Sequence, residues 1–149
     1  MAPPQEATDI ISCKKLQYCR FADLNQLHGL DNIMLPDVKC EFFDAHGAIQ
    51  VEGGFEYRFA SRDEFKGFFG KVFAQVQTIH IVSGAEFEEV GPDEIKAVWT
   101  LLYHASSKEL STGMHATGGG HYHETWKRKG DDWFMQSMVM NRLFYKIAV

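Results

Sequence analysis

Two residues of this chain combine chemical capability with an unusual setting: Asp23 and His80. Asp23 follows Leu16 and Cys19 and precedes Leu27 and Leu30 at the i, i+3, i+4 spacing of one helix face. A carboxylate on an apolar helix stripe must be paired or hydrogen-bonded, because burial otherwise strips its charge. His80 lies within Gln77-Thr78-Ile79-His80-Ile81-Val82, enclosed by apolar neighbours. An acid held against an imidazole fixes one tautomer and leaves the other ring nitrogen as a general base. The pair points to proton transfer in a sheltered site. The plainer alternatives are a structural acid satisfied by a backbone N–H or an arginine, and a histidine satisfied within the core.

Other polar residues stand in apolar company. In His121-Tyr122-His123 the two histidines share one strand face with Thr125, while Tyr122, Glu124 and Trp126 share the other. An H-x-H pair joined by His80 could hold zinc or iron, but the carboxylate that usually completes such a set is on the opposite face, at Glu124. The expectation is no metal and no cofactor, with the histidines at a pocket rim. Arg142, among Met138, Met140, Leu143 and Phe144, could meet an anionic ligand group or pair with a surface acid. Gly118-Gly119-Gly120 precedes no helix pattern, so it marks a bulge or a close backbone approach rather than a phosphate loop.

Bulk properties narrow the classes. A chain of 149 residues fits one domain. With 45% hydrophobic residues and 12 Phe, it has more apolar side chains than a core needs, which implies an apolar pocket, a subunit interface or both. A net charge of −5 with no basic run among aromatics argues against nucleic acid. Three cysteines without metal spacing point to a reducing compartment. The opening Met-Ala-Pro-Pro-Gln-Glu has no signal-peptide pattern, and no apolar run approaches the roughly 20 residues of a membrane span. A cytoplasmic protein without membrane contact is expected, acting as a homo-oligomer.

The site must be positioned by an α+β framework. Residues 1–7 are expected as a flexible tail and 8–149 as one domain. Thr8 or Asp9 can cap a helix running to about Leu27, where His28-Gly29 breaks it. Leu30 to Leu35 suggests a short second helix stopped by Pro36, then a strand from Val38 to Asp44. Ser61-Arg62-Asp63-Glu64 has the form of a capping box before a helix reaching about Val76. Strands are expected over Thr78–Val90, Glu94–Ala105, Thr112–Lys127 and Asp132–Tyr145. Helices first and a long antiparallel meander afterwards make a cone-shaped α+β barrel, its curved sheet covered by N-terminal helices over a pocket.

The chain resembles the SnoaL-like branch of the nuclear-transport-factor-2-like fold, and within it scytalone dehydratase and the bile-acid 7α-dehydratase. The resemblance spans about residues 10 to 145. It rests on the order and spacing of Tyr18-Cys19-Arg20-Phe21-Ala22-Asp23, Thr78-Ile79-His80, Thr117-Gly118-Gly119-Gly120-His121-Tyr122 and Trp126-Lys127-Arg128-Lys129-Gly130-Asp131-Asp132-Trp133. It implies that Asp23 supports His80 in removing a proton beside a carbonyl. It adds Tyr18 as a third catalytic residue and Arg142 as a substrate contact, and it implies a homodimer or homotrimer. Departures occur where scytalone dehydratase holds a water with two tyrosines, since Ala22 and Phe42 stand there. Its pocket asparagine falls at Tyr122, one residue from His123, and its second pocket histidine falls at Ala105, one beyond His104. Scytalone itself is therefore not the expected substrate.

The resulting expectation is a cofactor-free dehydratase, isomerase or cyclase acting on a small hydrophobic cyclic metabolite of polyketide or terpenoid type. Asp23, His80 and Tyr18 would be catalytic, and Tyr122, His123, Arg142 and Phe42 would contact substrate. The competing classes are a non-catalytic module that binds a small molecule or partner on the same fold, and a metal enzyme using His80, His121 and His123.

Overall fold

The computed structural model describes residues 2–108 and 113–148. Met1, Val149 and the expected strand start at Thr112 lie outside the described residues. Helix α1 spans Gln5–Asp23. It therefore starts within the expected tail, and Ala7 is already buried. Pro4 precedes its first turn, where a fixed φ suits helix entry. The buried stripe is Ala7, Ile11, Lys14, Lys15, Tyr18, Cys19 and Ala22, whereas Leu16 is 59% exposed. The expected face is thus rotated toward Tyr18. The helix stops four residues early because Asn25 takes a positive φ of 50°, a conformation Asn tolerates better than most residues. His28 and Gly29 belong instead to a 3-10 helix, Leu27–Asn32. Gly29 is required there, since a Cβ would fall 2.4 Å from the Phe21 ring.

The short second helix expected over Leu30–Leu35 is present as the end of this 3-10 helix. Strand β1, Met34–Phe43, begins before Pro36 and contains most of the strand expected from Val38. A small separate hairpin, β2 (Val51–Glu52) with β3 (Phe55–Glu56), turns through Gly53 and Gly54, both at positive φ. Strand β4 is Arg58–Phe59, and helix α2 is Arg62–Gln75. Ser61 caps α2 by accepting from the Glu64 N–H, and Glu64 returns a bond to the Ala60 N–H. Then come β5 (Val76–Val82), β6 (Glu86–Gly91), β7 (Glu94–Ser107), β8 (His115–Lys129) and β9 (Asp132–Ala148). The run expected as one strand is broken at Ser83-Gly84-Ala85, and both halves pair with β7.

The main sheet has seven strands in the order β4-β1-β9-β8-β7-β5, with β6 also on β7. All of its pairings are antiparallel except β1 with β9. It curves as the expected cone does, but it stays open. Helix α1 packs on β5 and β9, and α2 packs on β1 and β5. The core between them is rich in aromatics, with Phe42, Phe59, Phe65 and Phe69 in mutual ring contact. Ile79 and Ile81 lie on the outer face, 53% and 56% exposed. No helix among the described residues is long and apolar enough to cross a membrane.

Candidate active site

Asp23 is the last residue of α1, which frees its carboxylate to reach β5. Its Oδ1 lies 2.6 Å from His80 Nδ1 and accepts from the Thr78 hydroxyl at 3.0 Å. Its Oδ2 accepts from the His80 backbone N–H at 3.2 Å. Three donors on one carboxylate offset the loss of hydration on burial. The two side chains retain only 14% and 12% exposure. A carboxylate can only accept, so Nδ1 carries the proton and Nε2 presents its lone pair. The imidazole stacks on Tyr103 at 5.7 Å, and Phe73 meets it edge-on at 6.2 Å.

His80 lines a cavity of about 220 Å³. Much of the wall is apolar, including Phe42, Phe69, Phe73, Leu101 and Met140, and polar groups are set into it at Gln50, Glu52, Tyr57, Tyr103, Tyr122 and Arg142. Tyr103 receives a hydrogen bond from Arg142 Nη2 at 2.9 Å, which links the cavity's guanidinium to the ring behind His80. Burial pushes the Tyr103 hydroxyl above its ordinary range, with Arg142 pulling the other way. Arg142 shares the inward face of β9 with Met138 and Met140. No carboxylate is within ion-pair distance of it among the described residues. Its Nε is buried without an acceptor among the described residues.

The glycine run on β8 makes this arrangement possible. A Cβ at Gly118 would fall 2.4 Å from the Tyr103 ring, so Tyr103 occupies the space that a side chain there would need. A Cβ at Gly120 would fall 2.0 Å from the Asn141 carbonyl. There the register with β9 shifts between Gly119 and Gly120, leaving Leu143 as the extra residue immediately after Arg142. Both the bulge and the close approach expected from the sequence are present.

Tyr122 is 2% exposed and lines the cavity, and Phe42 lines it as well. His123 does not. It is exposed on the outer face of β8 because period-two alternation sends Tyr122 inward. His121 shares that outer face, so the three histidines considered for a metal do not converge. Among the described residues, no group of three or more His, Cys, Asp or Glu side chains could hold a metal ion. Ala105 lines the cavity, whereas His104 bonds Thr117 outside it.

Tyr18 does not line the cavity either. Five residues turn it about 140° around the helix from Asp23, into the core beside Phe65 and Tyr122. It reaches the site through Tyr122, whose ring it meets edge-on at 6.0 Å. Burial pushes both hydroxyls well above the ordinary tyrosine range. Beneath them lies Lys15, fully buried, with Nζ 3.6 Å from the centre of the Tyr122 ring and 4.0 Å from that of Tyr18. Its counter-ion is Glu124 at 2.5 Å, off the axis of a conventional hydrogen bond. The indoles of Trp99 and Trp126 donate to the other Glu124 oxygen at 2.8 and 2.9 Å.

Sequence reasoning missed Tyr103, Gln50, Glu52, Tyr57 and the Lys15–Glu124 pair. For Tyr103, the available signal was the glycine run opposite it.

The fold has counterparts among known proteins. The SnoaL-like domain family matches residues 6–139. A protein of Gibberella zeae named "Probable cyclase FGR4" is 50% identical over 147 residues, 99% of this chain and 98% of that protein. A scytalone-dehydratase-like protein of Novosphingobium aromaticivorans superposes with a TM-score of 0.75 at 14% identity, covering 93% of this chain and 85% of that one. A hexachlorocyclohexane dehydrochlorinase, LinA type 2, superposes with a TM-score of 0.73 at 13% identity, covering 96% and 87%. The two structural likenesses establish the fold. With a family match over most of its length and a relative at half identity, the chain belongs to the SnoaL-like family.

Proposed function

We propose that this protein is an enzyme of the cyclase and dehydratase type that removes a proton from carbon beside a carbonyl. Its substrate would be a small hydrophobic cyclic metabolite of polyketide or terpenoid type. His80 Nε2 takes the proton, and the C–H electron pair moves toward the carbonyl oxygen to form an enolate. Asp23 holds the tautomer and stabilises the imidazolium. Arg142 and Tyr122 are the cavity groups suited to the developing negative oxygen, with Tyr18 orienting Tyr122. Phe42, Phe69 and Met140 bind the carbon skeleton and exclude water. In ring closure the enolate carbon attacks a second carbonyl carbon of the substrate, whose C=O pair becomes an alkoxide that takes the proton back from His80. In elimination the enolate pair expels a β-hydroxyl, which leaves as water with that proton. In isomerisation the proton goes to a different carbon.

The reading rests on one observation: a histidine locked by a carboxylate at 2.6 Å faces an apolar cavity. The relative's name, a cyclase, favours ring closure as the outcome. General-base catalysis of this kind contributes roughly 10² to 10⁴-fold. The test is α-proton exchange of 1-tetralone in D2O, followed by NMR. The wild-type protein should exchange that proton, and a folded His80→Ala variant should not. Exchange absent from the wild type, or surviving in the variant, removes the general-base reading.

A further inference from the structure

The proton-transfer reading leaves one wall of the cavity without a task, the wall formed by Gln50, Glu52 and Tyr57. Gln50 and Tyr57 are buried, at 6% and 7% exposure, and both turn their polar ends to the exposed Glu52. The Tyr57 hydroxyl donates to Glu52 Oε2 at 2.7 Å, and Gln50 Nε2 approaches Oε1 at 3.5 Å. The backbone fixes the group: Tyr57 N–H donates to the Gln50 carbonyl at 2.9 Å, and Gln50 N–H to the Phe42 carbonyl at 2.8 Å. An exposed glutamate ordinarily keeps its rotamer freedom, which is costly to restrict. Here two buried side chains hold it at a cavity wall, and it is the one carboxylate among the described residues lining that cavity.

Gln50 supplies an independent sign of a ligand. Its amide nitrogen faces Glu52, so its Oε1 is oriented away from that carboxylate. That oxygen is buried without a donor among the described residues. Buried acceptors without partners are uncommon in folded proteins. The wall therefore offers acceptors, a carboxylate and an amide oxygen, and calls for a donor. Burial and the Glu52 hydrogen bond push the Tyr57 hydroxyl up, while Arg142 is close enough to pull the other way. A cationic donor would meet the charge of Arg142, whereas a neutral hydroxyl would not.

We infer that Glu52, held by Tyr57 and Gln50, is a specificity-determining residue that accepts a hydrogen bond from a ligand hydroxyl and so selects among ring-hydroxylated ligands. This assignment concerns binding and does not depend on the general-base reading above. A hydrogen bond to a charged acceptor supports roughly 10- to 100-fold in affinity.

The experiment compares 1-tetralone with its singly ring-hydroxylated derivatives in calorimetric titrations. One or more derivatives should bind the wild-type protein roughly 10- to 100-fold more tightly than the parent. In Glu52→Gln that ratio should fall to within about threefold of unity, and in Tyr57→Phe it should fall part of the way. Glu56→Gln, an exposed neighbour on the same hairpin, should keep the full ratio. No derivative exceeding the parent, or a ratio intact in Glu52→Gln, overturns the assignment. The ratio should persist in His80→Ala, where α-proton exchange is lost. Failure of exchange in the wild type therefore sinks the base without touching the hydroxyl reader, and a missing ratio does the reverse.

Discussion

Exchanging Asp23 for Asn tests the catalytic proposal with almost no change in shape. Each carboxylate oxygen has a defined duty: Oδ2 accepts from the His80 backbone N–H, and Oδ1 accepts from Thr78 and His80 Nδ1. An amide has one oxygen to offer. Placing NH2 at the Oδ2 position opposes the His80 backbone N–H, a donor that cannot turn. Placing it at the Oδ1 position is less costly, since the Thr78 hydroxyl can rotate to accept. That orientation donates to Nδ1, drives the ring proton to Nε2 and removes the lone pair facing the cavity. The expected loss is the whole general-base contribution, roughly 10² to 10⁴-fold in rate, or roughly 3–5 kcal/mol in the barrier. Stability should fall by only about 1–3 kcal/mol, the worth of a charge-assisted hydrogen bond. The assays are α-proton exchange of 1-tetralone for rate, urea unfolding for stability and 15N NMR of the imidazole for the tautomer. A folded Asp23→Asn protein exchanging within about threefold of the wild-type rate would refute the reasoning, as it would if the site served binding alone.

Gly118→Ala should displace Tyr103 and with it the stack on His80 and the bond to Arg142. Overpacking of this kind costs about 1–3 kcal/mol, seen as a lower Tm together with slower exchange, and a silent substitution would show that the glycine is not needed. Glu124→Gln strands the Lys15 charge in the core. Urea unfolding should show a loss of about 3–5 kcal/mol, largely recovered by adding Lys15→Met, and a loss below about 1 kcal/mol would count against a charged buried pair. Burial raises the Tyr18 and Tyr122 hydroxyls, and raises the Cys40 thiol to about 12. The folded chain therefore keeps protons that the unfolded chain releases above about pH 8.5 for Cys and about pH 10 for Tyr. Stability is full below those values and declines as pH rises, so the urea midpoint should drop between about pH 9 and 11, and a flat profile would contradict this. At pH near 8 iodoacetamide should label exposed Cys13 and leave Cys40 unmodified, as mass spectrometry of the native protein can verify.

The Asp23–His80 contact was legible because each residue is a polar oddity in an apolar run, and two such oddities satisfy one another most simply. The glycine run was legible because three glycines entering a strand have few other uses. The face of α1 was not. Lys15 counts as polar in any hydrophobic pattern, yet it is fully buried because Glu124, 109 positions later, neutralises it. Leu16, which pattern reading favours, is left in solvent. The helix end was missed because the stop depends on the backbone angle of Asn25 rather than on a glycine or proline. For Tyr122 and His123, period two fixed that they point apart, but which one points inward depends on the partner strands. Gln50, Glu52 and Tyr57 were invisible because strands of two residues carry no periodicity, and their meeting is made by a turn.

The placement of β9 bears on how the protein comes to exist at all. It is the last strand in chain order, yet it lies inside the sheet between β1 and β8. During synthesis Asp23 and His80 can emerge and meet while the strand bearing Met140 and Arg142 is still inside the ribosome. Until it arrives, β1 and β8 each present a bare edge, an invitation to pair with another chain. Such long-range closure is also slow. A nascent molecule thus holds an assembled base with no chamber around it, and its most aggregation-prone interval ends only when this final strand docks.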